Sequence, residues 1–322
     1  MAIQTLLSAR RHTPKILGKV ALFAALVGPA LVGFALSSPV ASASTKSTVI
    51  KAVGAENEYA NVLSQIGGKY VSVTSILNNP NVDPHAYEAS PSIAVAVSQA
   101  QLVVQNGVGY DGFMNNIEAA SPNPRRKVIV AQHVLGLADN TPNPHLWYDP
   151  KTMPAVATAM TNDLAALRPS HRAYFQRNLA TFKASLQPWL NAIASFKATH
   201  KGTRVAVTEP VADYLLKAMG AKMLTPFVFQ ADIMNGVDPS PEDITLEESL
   251  FTKHQAQVFL YNQQVVSSVT VTVRQSAVAN HVPVVGVYET MPTPGYDYQT
   301  WMLAEVNAIR KAVVSRTSTK KL

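Results

Sequence analysis

An alternation constrains this chain more than any other feature. Short β-branched runs recur between helical patterns, in two series separated by a long strand-free stretch. In the first half the runs are Val49 to Ala55, Val71 to Leu77, Leu102 to Gln105 and Val128 to Gln132. In the second they are Arg204 to Thr208, Ala221 to Leu224, Gln257 to Tyr261 and Val284 to Tyr288. Strands alternating with helices pair in parallel, because a parallel neighbour is reached only through a crossover. The expected fold class is therefore α/β: two lobes, each with a mostly parallel sheet flanked by helices. Val265 to Val273 is rich in valine and threonine, yet Val265, Val269, Val273 and Ala277 repeat at helical spacing. It is read as the helix that crosses between two strands.

The strand-free stretch opens with Asp149 as N-cap and Pro150 at the first helical position. Met153, Val156, Ala157, Met160, Leu164 and Leu167 then share one face up to Pro169. A second helix carries Tyr174, Phe175, Leu179, Phe182, Leu186, Trp189, Leu190, Ile193 and Phe196 on its apolar side. No Gly/Ser linker interrupts it, so a long rigid backbone helix over 171–200 is expected to join an N-terminal lobe (44–170) to a C-terminal lobe (201–322).

Absence of cysteine removes disulfide frameworks, thiolate metal sites and cysteine nucleophiles from consideration. The formal charge of +7 suggests nucleic acid until residues 1–43 are set aside. They contain Arg10, Arg11, Lys15 and Lys19 and no acid, and without them the excess falls to +3, too weak for a phosphate partner. The same 43 residues read as an export signal: a basic stretch, an apolar run from Val20 to Leu36, and a small-residue cleavage pattern ending at Ala43. An uncleaved anchor is the rival reading, but the run is short for a span and holds Gly28, Pro29 and Gly33. The mature protein is thus expected outside the cytoplasm, in the periplasm, at the cell surface or secreted.

Two histidines stand in similar settings, His85 in Asp83-Pro84-His85-Ala86-Tyr87-Glu88 and His145 in Asn143-Pro144-His145-Leu146-Trp147-Tyr148-Asp149-Pro150. Each follows a proline in a loop just ahead of a helix start, which restricts the backbone and suits a pre-positioned ligand. Two acids, Glu209 and Glu289, follow strand runs in the second half. Ligands of open α/β sheets bind beyond the carboxyl ends of strands, where both acids belong. Gly107-Val108-Gly109-Tyr110-Asp111-Gly112 matches G-x-G-x-x-G, but Val128 to Gln132 ends without the acid a dinucleotide ribose requires, so no nucleotide is expected. His171, His200, His254 and His281 lie in polar contexts and are read as solvated.

These motifs, with Thr208-Glu209-Pro210-Val211-x-Asp213-Tyr214 and Pro283-Val284-Val285-Gly286-Val287-x-Glu289-Thr290, resemble the solute-binding proteins of zinc and manganese ABC importers. The likeness runs in order from about Ser47 to Val314. It implies two α/β lobes around one divalent metal, with His85 and His145 as first-lobe ligands and Glu209 and Glu289 as second-lobe ligands. It also implies a monomer that hands its cargo to a membrane permease. The chain departs from many zinc-specific relatives in having Glu209 where they have histidine. It also lacks their His/Asp-rich loop, since 121–141 holds a single histidine, His133. Asp232 and Asp297 stay open as alternatives to Glu289.

Two neutral imidazoles and two carboxylates would neutralise an M²⁺ ion and allow its burial. Such N/O ligation suits Zn²⁺, Mn²⁺ or Fe²⁺. Four protein ligands leave no open position, which favours capture over catalysis. The expectation is a non-enzymatic extracytoplasmic binding protein, with Trp147, Asn262 and Tyr288 as candidate supporters of the ligands. The alternative is a secreted zinc hydrolase with His85, His145 and Glu209 as ligands and Glu289 as general base. It lacks an H-E-x-x-H pair. An adhesin with a structural metal is the third reading.

Overall fold

The computed structural model describes residues 49–322; the expected export signal, with its cleavage after Ala43, lies outside the described residues. The first series runs β1 (Ile50–Glu56), α1 (Asn57–Gly67), β2 (Val71–Leu77), α2 (Pro91–Gln99), β3 (Leu102–Gln105), α3 (Phe113–Ala120), β4 (Lys127–Val130) and α4 (Ala131–Val134). Helices α5 (Thr152–Leu167), α6 (Arg172–Ser185) and α7 (Gln187–His200) follow. The second series is β5 (Arg204–Val207), α8 (Asp213–Ala218), β6 (Lys222–Met223), α9 (Phe227–Met234), α10 (Pro241–Thr252), β7 (Val258–Asn262), α11 (Ser268–Ala279), β8 (Val284–Val287) and α12 (Tyr298–Ser315).

Each series folds into a 4-stranded sheet, ordered β2-β1-β3-β4 and β6-β5-β7-β8. Every pairing in both is parallel. Strands β3, β7 and β8 are buried along their whole length, as strands covered by helices on both faces must be. In either sheet the chain reverses its direction of growth between the first and third strands of the series. The carboxyl ends there form the crevice in which such sheets bind ligands. Gly54 lets α1 lie close on β1, since a Cβ at that position would sit 2.6 Å from the Ala60 backbone nitrogen.

Strand placement follows the β-branched runs closely, and Ser267 caps α11 with a reciprocal capping box, as a crossover helix there requires. One helix start differs. Helix α5 begins at Thr152 because Asp149 first closes a turn, its carboxylate accepting the Lys151 N–H at 2.9 Å and its carbonyl the Thr152 N–H at 3.0 Å. Helix α8 begins at Asp213 after a turn that opens at Pro210. The joining segment is two helices in place of one, α6 and α7, broken at Leu186. Pro188 has no N–H to continue the ladder across that point.

One hydrophobic core runs through both halves. It includes Tyr59, Trp147, Met160 and Phe175 from the first part of the chain and Trp189, Leu215, Tyr298 and Trp301 from the rest. The lobes are therefore bound by packing as well as by the chain that connects them. Among the described residues no helix is long and apolar enough to cross a membrane.

Candidate metal centre

Both histidines are set by the same local device. In Asp83-Pro84-His85 the Asp83 carboxylate accepts the His85 backbone N–H at 2.8 Å, and in Asn143-Pro144-His145 the Asn143 Oδ1 accepts that of His145 at 2.9 Å. These turns aim the imidazoles into the crevice between the sheets. Asn143 does more: its Nδ2 donates to the Pro210 carbonyl at 2.7 Å, so its oxygen must face His145, where it lies 2.8 Å from Nδ1. An amide oxygen only accepts, so Nδ1 carries the proton and His145 Nε2 is left with a lone pair.

Glu289 follows β8 and meets both rings. Its Oε2 lies 3.1 Å from His85 Nε2 and 3.3 Å from His145 Nε2. One ligand atom from each of His85, His145 and Glu289 lies within 4.8 Å of the others. The Tyr110 hydroxyl donates to the same Oε2 at 3.0 Å, and Asn262 Nδ2 donates to Oε1. Asn262 is itself fixed, its Oδ1 accepting the Gln264 N–H at 3.0 Å.

Glu209 is drawn to this centre but stands farther out. Its Oε2 accepts from Asn262 Nδ2 at 3.3 Å, and its buried Oε1 has no partner. The alternatives to Glu289 are placed elsewhere: Asp297 caps α12 by accepting the Thr300 N–H at 2.9 Å, and Asp232 lies within α9.

The electrostatics separate the four. Burial raises the Glu289 pKa, but the hydrogen bonds and charge that His145 and His85 supply in their protonated forms outweigh it and hold the pKa low. Burial and the Glu289 charge push the Glu209 carboxyl well up, against the opposing Asn262 hydrogen bond. Burial lowers His145, outweighing the Glu289 hydrogen bond and charge. At His85, whose side chain is 26% exposed, burial is outweighed by Glu289 and the pKa is raised.

Of the expected supporters, Asn262 bridges the two acids and Trp147 packs edge-on to His145 at 5.5 Å. Tyr288 contributes only its carbonyl, which accepts the Tyr148 hydroxyl at 2.8 Å. Sequence reading missed Tyr110 and Asn143. The second was legible in retrospect: Asp83 and Asn143 occupy the same offset before their histidines, and both are Asx-turn formers.

The model of the family described as "Zinc-uptake complex component A periplasmic" (ZnuA) matches residues 53–312. The chain belongs to this family. Its members are substrate-binding components of metal transporters rather than enzymes. The chain is 27% identical over 257 residues to the manganese ABC transporter substrate-binding lipoprotein PsaA of Streptococcus pneumoniae, covering 73% of this chain and 78% of that one. It is 25% identical over 202 residues to a putative metal-binding protein of Thermotoga maritima, covering 62% and 70% respectively. Its fold matches that of FpvC from Pseudomonas aeruginosa, solved with Mn²⁺, with a TM-score of 0.68 and 19% identity over 83% of this chain and 99% of that one.

Proposed function

We propose that the protein captures one divalent transition metal ion outside the cytoplasm and delivers it to the permease of an ABC importer. His85, His145, Glu209 and Glu289 would be its ligands. One observation carries the reading: the lone pair of neutral His145 Nε2 faces Glu289 Oε2, which already accepts the Tyr110 hydroxyl, at 3.3 Å. Two electron-rich atoms at that distance repel unless a cation lies against both. The spacing also suits a metal, because tetrahedral donors about 2.0 Å from zinc are about 3.3 Å apart. With Glu209 as the second carboxylate the filled site is neutral, which permits its burial. The family's role as the binding component of metal uptake gives the captured ion its destination.

Metal analysis and calorimetry on the metal-stripped chain test this. One ion per chain, and loss of tight binding in the His85→Ala/His145→Ala double variant, are expected. Undiminished binding in that variant, or more than one tight ion per chain, would refute the reading.

A further inference from the structure

Tyr110 touches every member of the three-residue cluster. Its hydroxyl donates to Glu289 Oε2 at 3.0 Å, and its ring stands edge-on to His85 and His145, with centroids 5.4 and 5.9 Å away. Trp147 closes the other side of the ring at 5.0 Å. The loop that presents it is strained: Gly107, Val108 and Gly109 have φ of 83°, 55° and 76° in succession. A β-branched residue keeps such a conformation only where its surroundings over-determine it. Here they do. The Val108 N–H donates to Gln132 Oε1 at 2.7 Å, and the Asp111 carboxylate accepts the Asn106 and Gly107 N–H groups at 2.6 and 3.0 Å.

The consequence falls on Glu289. Tyr110, from the first lobe, engages Oε2, while Asn262, from the second, engages Oε1. A carboxylate gripped at both oxygens by neutral donors is not free to turn and chelate an ion with both. We propose that Tyr110 determines metal specificity, holding Glu289 as a one-oxygen donor so that the cleft favours four-coordinate zinc over manganese, which takes more oxygen ligands and water. This inference rests on the capture reading above.

The test is Tyr110→Phe in the full chain, which removes the hydroxyl and keeps the ring. Zinc and manganese affinities are measured by competition, and coordination number by the visible absorption of the Co²⁺-loaded protein. Zinc affinity should fall about 10–100-fold, as for loss of an outer-shell partner, while manganese affinity holds or rises. The cobalt bands should weaken as coordination number increases. Gln132→Ala, which releases the loop without touching the cluster, should move the zinc-to-manganese ratio the same way. Equal losses for both metals with an unchanged cobalt spectrum would overturn the inference and leave capture standing. An unmodified chain that binds neither metal would overturn both.

Discussion

Glu247 offers a measurement of how far burial alone can neutralise an acid in this fold. It lies on α10 with no exposed surface. Its Oε1 accepts the Thr225 hydroxyl at 3.0 Å, Thr225 in turn accepts the Val207 N–H of β5 at 2.9 Å, and Glu247 Oε2 has no partner. Burial pushes its pKa from 4.5 up to about 8, opposed by the Thr225 hydrogen bond. Between those values the folded chain keeps a proton that the unfolded chain releases, so stability falls as pH rises through the window. A tenfold change in proton affinity is worth about 1.4 kcal/mol, so above pH 8 the penalty reaches on the order of 5 kcal/mol. Glu247→Gln removes it. At pH 5 wild type and variant should melt within a degree or two of each other, because a protonated carboxyl and an amide are both neutral and each keeps an oxygen to accept the Thr225 hydroxyl. At pH 9 the variant should melt roughly 10 °C higher, since each kcal/mol moves the midpoint of a chain this size by about 2–4 °C. Calorimetric scans of the metal-free protein from pH 5 to 9 make the comparison. A constant gap across that range would show that Glu247 ionises normally, and the reasoning would fail.

Other expectations are simpler to state. Asn57→Ala strips both partners from the buried Met291 backbone, whose carbonyl and N–H it pairs at 2.8 and 2.9 Å, and should destabilise by about 2–4 kcal/mol in urea titrations. Gly54→Ala drives a Cβ against the Ala60 backbone and should cost about 1–3 kcal/mol by the same assay; wild-type stability would show that α1 can shift. The metal-stripped protein should stay folded, and zinc at a thousandfold its dissociation constant should add about 4 kcal/mol to the stability. Unfolding on chelation alone would point to a structural metal.

The strands were legible because β-branched runs such as Val71 to Leu77 carry their own signal, and the order of those runs implied parallel pairing. The break at Leu186 was harder to see, since the apolar stripe from Tyr174 to Phe196 continues through it and only Pro188 marks it. At the site, Pro84-His85 and Pro144-His145 announce themselves by local backbone restriction. Tyr110 does not, because its role depends on a left-handed loop at one sheet and a carboxylate 179 residues away on the other. Contacts of that range are set by tertiary packing, and no local pattern encodes them. The same holds for Glu209, whose strand-end position was readable and whose distance from the imidazoles was not.

Three acids with almost no exposed surface show why burial does not single out the proposed ligand. Glu305 has Trp301 Nε1 and the Tyr148 hydroxyl on one oxygen and nothing on the other, and burial drives its pKa to about 8. Glu247 follows it to about 8 with one hydroxyl partner. Each can satisfy its environment by holding a single proton. Glu289 is equally buried, yet it accepts from Tyr110 on one oxygen and from Asn262 on the other, and the facing His145, when neutral, keeps its only proton on Asn143. The lone pairs of His145 Nε2 and Glu289 Oε2 therefore converge without a donor between them, an arrangement the proposed divalent ion would answer.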